Sequence, residues 1–117
     1  MSRHWRKRKL LPKSSLDYRQ AAIRGQGSRR MQAVYQYCKG YNNALSEEER
    51  LKNPYEVDHC IPLDPSYGGL HVYTNVWIVR RSMNTRGPQR RTQAEIVYAL
   101  TQANLDPFKA HETWPNS

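Results

Sequence analysis

The hydrophobic positions follow a helical period in the first half of the chain and a strand period in the second. Met31, Val34, Tyr35 and Cys38 recur at i, i+3, i+4 and i+7, which is one face of a helix. This predicts a helix from Arg29, with Gly40 as its C-cap and Cys38 as a small apolar core residue. Ser46 and Glu49 form an S-x-x-E capping box that opens a short helix at Glu47. Pro54 ends that helix or lies just beyond it, and Glu47, Glu48 and Glu49 suit the positive end of its dipole. A strand is predicted near Glu56–Ile61, then a long loop through Pro62, Pro65, Gly68 and Gly69. The next run, Asn75–Arg80, has apolar side chains on both faces, Val76 and Ile78 on one and Trp77 and Val79 on the other. Such a strand is covered on both sides.

A short helix is expected from Arg81 or Ser82. Thr92 and Glu95 make a second capping box, with Ile96, Val97 and Leu100 as the apolar side of the helix that follows. The tail from Asp106, with Pro107 and Pro115, reads as irregular. Residues 14–30 carry weaker signals: Ser15-Leu16-Asp17 is a cap for a short helix through Ile23, and Gly25 and Gly27 break the pattern. No internal repeat and no second domain is visible. The expectation is a small single α+β domain, a two-strand hairpin with a short helix, wrapped by helices over 29–39 and 92–104. A two-stranded hairpin alone is marginal in water, so flanking helices must support it.

Charge narrows the partners. The 117 residues carry a formal net charge of +9, a pI near 9.9 and a mean hydropathy of -0.94. That balance points to a polyanion, nucleic acid first and an acidic membrane surface second; the plain alternative is a soluble basic protein. Eleven of the nineteen Lys and Arg fall in two acid-free segments, Arg3, Arg6, Lys7, Arg8, Lys9 and Lys13 in the first and Arg80, Arg81, Arg86, Arg90 and Arg91 in the second. The first segment reads as a flexible nucleic-acid arm or a solvated tail. No apolar run approaches the ~18 residues of a membrane span, and no apolar h-region follows the basic N-terminus. Cys38 and Cys60 are far apart with no C-x-x-C pair, so no structural zinc is expected and a reduced, cytoplasmic compartment is the simpler assumption.

The polar residues that stand out are Asp58-His59, Asn75 and Asn84. Phosphodiester hydrolysis needs a water deprotonated and charge on the phosphoryl and leaving oxygens neutralised. A histidine near neutral pH suits the first task, with activity rising around an unperturbed pKa of ~6.5. A hard divalent cation on oxygen ligands suits the second, and Asp58 and the amide oxygen of Asn84 are such ligands. Neighbours on a regular strand point to opposite faces, so for Asp58 and His59 to face one phosphate the backbone must leave β geometry there. Asn75 is placed to hold the loop, or His59 itself, by side-chain hydrogen bonds. Glu56 is either a surface residue of the strand or a contact to a metal-bound water. His71 is either a loop-packing residue or a substrate contact.

The order of these residues resembles the HNH nucleases, the ββα-metal family. These carry D-H on the first strand, Asn at the start of the second and Asn or His about nine residues later in the helix. Here the steps run from 59 to 75 and from 75 to 84, and GLHVYTNV followed by MNTRG is similar to a phage-type pattern of the H-N-N variety. The resemblance covers Tyr55–Arg91 and leaves the N-terminal half unassigned. It implies a ββα-metal unit at 55–91; the rest of the chain reads, from charge, periodicity and capping residues, as a basic flexible arm at 1–13, a helical N-terminal region at 14–54, and a C-terminal helix and irregular tail at 92–117. It implies His59 as general base and Asn75 as the middle, loop-orienting residue of the catalytic set. It implies Asp58 and Asn84 as ligands of one divalent cation. Pro88 stands where the bacterial-toxin branch has a further His ligand, which argues for magnesium or manganese. The implied activity is hydrolysis of phosphodiester bonds in double-stranded DNA, as a nick or a double-strand cut, in the host cytoplasm if the chain is phage-encoded. The arginines around the motif would then clamp phosphates, giving affinity without sequence choice. Two other readings stand beside it: a non-catalytic basic nucleic-acid-binding protein, and an accessory nuclease subunit in a phage DNA-processing or packaging assembly.

Overall fold

The computed structural model describes residues 28–84 and 91–115. The basic arm, the short helix from Ser15 to Ile23, and Arg86 and Arg90 lie outside those residues. Three helices, α1 (Ser28–Ala44), α2 (Glu47–Lys52) and α3 (Gln93–Leu105), surround a three-stranded sheet of β1 (Tyr55–His59), β2 (Val76–Arg80) and β3 (Ala110–His111). One-turn 3-10 helices at Tyr73–Asn75 and Arg81–Asn84 bracket β2. The strand order is β1-β2-β3, with β2 antiparallel to β1 and parallel to β3.

The central strand organises the core. Val76, Trp77, Ile78 and Val79 are all buried, and their alternation feeds two separate clusters. Val76 and Ile78 pack with Val34 and Cys38 of α1, joined by Met31, Tyr41, Val57 and Phe108. Trp77 and Val79 pack with Ala99 and Ala103 of α3, with Cys60 and Met83, and with Tyr98 and Trp114. The double-sided strand is therefore covered on both faces, as its composition predicts, and a helix lies against Trp77 and Val79. Burying side chains of this size is worth about 1.5–3 kcal/mol each.

Several expected details differ. The first helix runs straight through Gly40 to Ala44, so Gly40 is interior rather than a cap. What ends the helix is a two-bond tie to β1: Asn42 Oδ1 accepts from Tyr55 N at 2.7 Å and its Nδ2 donates to Tyr55 O at 3.0 Å. Arg50 then donates to the carbonyls of Asn42 and Leu45 at 3.1 and 3.0 Å, which satisfies the end of the helix. Tyr35 and Val97, expected on apolar faces, are 47% and 53% exposed. In α3 the sheet-facing side is Ile96, Ala99 and Ala103, because small side chains let the helix approach the Trp77 ring. The Thr92–Glu95 capping box is complete in both directions. At α2 only Ser46 accepts, from Glu49 N, while the Glu49 carboxylate turns away to Arg80 at 2.6 Å.

The first strand ends at His59 rather than Ile61, and β3 was not expected. The tail from Asp106 is otherwise irregular, but Ala110 and His111 pair with Ile78 and Val79. Two residues are too few to show a period. The short helix expected from Arg81 or Ser82 does begin at Arg81, and its described part, through Asn84, is a 3-10 turn. No helix among the described residues is long and apolar enough to cross a membrane.

Candidate active site

The loop from Cys60 to Thr74 turns back on the end of β1, and Asn75 holds it there. Its side chain is 5% exposed. Oδ1 accepts from Ile61 N at 2.9 Å, and Nδ2 donates to Ile61 O at 3.0 Å and to Leu70 O at 2.8 Å. Its own carbonyl accepts from Cys60 N at 2.8 Å. The tip of the loop is shaped by Asp64, whose Oδ1 accepts from both Ser66 N and Ser66 Oγ at 2.8 and 2.6 Å; the Ser66 hydroxyl holds that carboxyl below its usual pKa. Gly68 sits at φ 78, in the left-handed region where glycine carries no Cβ penalty.

Asp58 and His59 lie at the end of β1, and both remain in the ladder, paired with Trp77 and Val76. The backbone therefore does not leave β geometry at this pair, contrary to expectation. The antiparallel register runs through His59, and the Cys60–Asn75 bond extends the contact beyond it. Cross-strand partners share a face, so Asp58 lies on the α3 side with Trp77 and His59 on the α1 side with Val76.

Asp58 is held by two donors on one oxygen. Trp77 Nε1 and Arg91 Nη1 each donate to Oδ2 at 3.0 Å. The side chains of Asp58 and Arg91 are 11% and 10% exposed. Arg91 Nη1 also reaches the carbonyls of His59 and Cys60 at 2.9 and 3.3 Å, and its guanidinium lies 5.2 Å from the centre of the Trp114 ring. One cation thus ties the acid, the histidine backbone and the start of the loop together. Breaking a buried pair of this kind costs about 3–5 kcal/mol, because the remaining charge is left uncompensated.

His59 is half-buried and meets His71, Nε2 to Nδ1, at 2.9 Å. Burial holds its pKa below the ordinary value of 6.5, His71 and Arg91 push the same way, and Asp58 opposes them. The ring is a neutral base at lower pH than a free histidine, so the base form extends below the ~6.5 expected from an unperturbed ring. Burial raises the neighbouring Cys60 thiol to about 12, which makes it an inert core residue.

The remaining predicted residues are spread more widely. Asn84 is exposed at the end of the second 3-10 turn. It follows the buried Met83, whose carbonyl accepts from Trp114 Nε1 at 3.0 Å. Glu56 is occupied by Arg81 at 2.7 Å and does not join Asp58. Arg80, read as a phosphate contact, is instead internal. It bonds Glu49, Glu112 and Asn53 O at 2.6, 2.9 and 2.6 Å and stacks on Tyr55. Arg91 is internal as well, so of the described arginines around the motif only Arg81 is largely exposed, at 50%. The roles of Trp77 and Arg91 toward Asp58 had no sequence signal, since each depends on a contact between distant parts of the chain.

The oxygen donors here are of the hard kind, the Asp58 carboxylate and the Asn84 amide. Among the described residues no group of three or more His, Cys, Asp or Glu gathers as a metal cluster. Asp58 already carries the Arg91 ion pair at 3.0 Å, and oxygen donors of this kind suit a hard divalent cation that keeps most of its waters. Comparison of the chain with family models, with curated proteins and with solved structures finds no match in any of the three.

Proposed function

We propose that the chain is a metal-dependent endonuclease of the HNH, ββα-metal kind, acting on double-stranded DNA. The observation that carries the reading is His59: a half-buried histidine at the end of a strand, next in sequence to the acid Asp58, under a loop locked by the buried Asn75, with burial lowering its pKa. In this reading His59 takes a proton from the attacking water. The O–H bond breaks, an N–H bond forms on the ring, and the oxygen carries its electron pair to phosphorus as the sugar oxygen leaves. Asp58 and Asn84 would hold one magnesium or manganese ion, which supplies charge neutralisation at the phosphate when bound. Trp77 and Arg91 orient the Asp58 carboxylate, and Asn75 orients the loop. Basic residues give affinity for phosphates.

A second reading has its own support. Asp58 and His59 lie on opposite faces, and Arg91 already neutralises Asp58. Both features suit a basic nucleic-acid-binding protein in which the hairpin is a scaffold. An accessory role in a phage packaging or processing assembly is compatible with either.

Supercoiled plasmid separates the readings. Wild type with magnesium or manganese is expected to give nicked or linear product, with none in excess chelator. His59→Ala should lower the rate by about 10²–10⁴-fold while DNA affinity stays near that of the wild type. Absence of product with every divalent ion tried favours the binding protein. Equal cutting by His59→Ala removes the HNH assignment.

A further inference from the structure

The loop between β1 and β2 is tied down just before His71, and it delivers that ring to His59. Gly69 N donates to Pro62 O at 3.0 Å, and Asn75 Nδ2 donates to Leu70 O at 2.8 Å. A Cβ on Gly69 would lie 2.1 Å from Ile61 O, so only glycine allows the loop to close this tightly. The result is the 2.9 Å contact between His71 Nδ1 and His59 Nε2, with the two rings tilted at 58° and 5.2 Å apart. This is a directed hydrogen bond between partly buried rings rather than loose packing.

A contact of that length holds one proton between the two nitrogens. Two cationic rings would bring N–H against N–H, so at least one ring is neutral. Two neutral arrangements remain. If His71 Nδ1–H donates, neutral His59 carries its own proton on Nδ1 and has no free lone pair. If His59 Nε2–H donates, the lone pair on His59 Nδ1 is open, and His71 carries its proton on Nε2. Which nitrogen is protonated is set by the bond the other one makes.

We infer that His71 is a positioning residue for His59: its Nδ1 accepts the His59 Nε2–H and leaves His59 Nδ1 as the proton acceptor. The 2.9 Å pairing stands on geometry; the choice of tautomer rests on the nuclease reading above, since only this arrangement leaves His59 a free lone pair. When His59 takes a proton on Nδ1, the Nε2–H bond to His71 becomes charge-assisted and therefore stronger, so His71 favours the state formed during the reaction. Its only described contact in this role is with the other ring, which makes it a partner of the base rather than a catalytic residue. The role also explains the construction of the loop, since the ties at Gly69 and Leu70 fix the residues immediately before His71.

The test is two-dimensional nitrogen-15 spectroscopy of histidine-labelled protein near pH 8, read beside plasmid cleavage. The expected wild-type spectrum places the proton of His59 on Nε2. In His71→Ala the His59 nitrogens should move toward values averaged over both tautomers. Cleavage should fall by about 10–100-fold in kcat, the usual cost of losing such a partner, with KM little changed. His71→Gln, whose side-chain oxygen can accept the same proton, should restore part of the rate; His71→Leu, of similar bulk, should not. A wild-type spectrum with the His59 proton on Nδ1 overturns the inference, as does equal activity of the Gln and Leu variants. If the wild type fails to cut while His59 carries its proton on Nε2 and loses that preference in His71→Ala, the nuclease reading fails and the pairing stands.

Discussion

His111 shows at the level of one side chain what burial does to a titratable group. It is 6% exposed, its ring lies 4.8 Å from that of Trp77, and its Nε2 has no hydrogen-bond partner among the described residues. Burial holds its pKa below 6.5, with Lys109 adding to the effect and Asp106 opposing it. The folded state therefore binds a proton less readily than the unfolded chain. Above the unfolded pKa of ~6.5 both states carry a neutral ring, and His111 gives stability no pH dependence. As pH falls through that value the unfolded chain protonates first. Stability is then lost at up to about 1.4 kcal/mol per pH unit until the folded ring also titrates. His59 has a shift of the same sign, so the two rings act together below neutrality. Chemical denaturation at pH 7.5 and pH 5.5 should show the wild type losing stability on acidification and His111→Gln losing measurably less. Equal losses would mean that the ring is protonated in the folded state.

At the scale of elements, the loop clamp is the part whose failure should spread furthest. Asn75→Ala removes three side-chain bonds and leaves Ile61 N, Ile61 O and Leu70 O without their partner. Unsatisfied buried groups cost about 1–3 kcal/mol each, and some relaxation toward water will lower the total. The expected outcome is a urea midpoint lower by about 2–4 kcal/mol in stability at unchanged m-value, with loss of the fixed His59 tautomer. An unchanged midpoint would mean that the loop closes without the amide. Much of this level was legible beforehand. The capping residues Ser46 and Thr92 mark real helix starts, and the unbroken apolar run of β2 marks a strand covered on both sides. Asn75 was expected to hold either the loop or His59, and its bonds go to the loop. Gly40 does not end the helix because a glycine with nothing near it costs a long helix only about 1 kcal/mol, while the Asn42–Tyr55 tie lies at the actual end. Strand alternation already implied that Asp58 and His59 diverge. What it did not contain was the Arg91–Asp58 contact, which lets the ladder stay regular by giving the acid a partner on its own face.

Charge is a property of the whole molecule, and the structure divides it. Arg80 and Arg91 face inward, so their charges are neutralised by Glu49, Glu112 and Asp58. The surplus of +9 must be expressed through the other basic residues, and six of those lie in residues 1–13. Counterion release makes the salt dependence of duplex binding count phosphate contacts, with a slope near −0.9 per contact. Deleting residues 1–13 should therefore weaken DNA binding and flatten the plot of log K against log salt by up to about 5 units. Arg80→Ala should do the opposite kind of damage. It removes bonds to two half-exposed carboxylates and to Asn53 O, so it should lower stability by about 1–3 kcal/mol while the salt slope of the folded protein stays unchanged. Binding titrations of both variants between 50 and 200 mM salt, the range over which such contacts are most visible, decide the matter together with a denaturation curve. A flattened slope for Arg80→Ala would mean that its guanidinium leaves the two glutamates to meet DNA. An unchanged slope for the deletion would mean that the basic segment contributes no phosphate contact and that affinity comes from the folded surface alone.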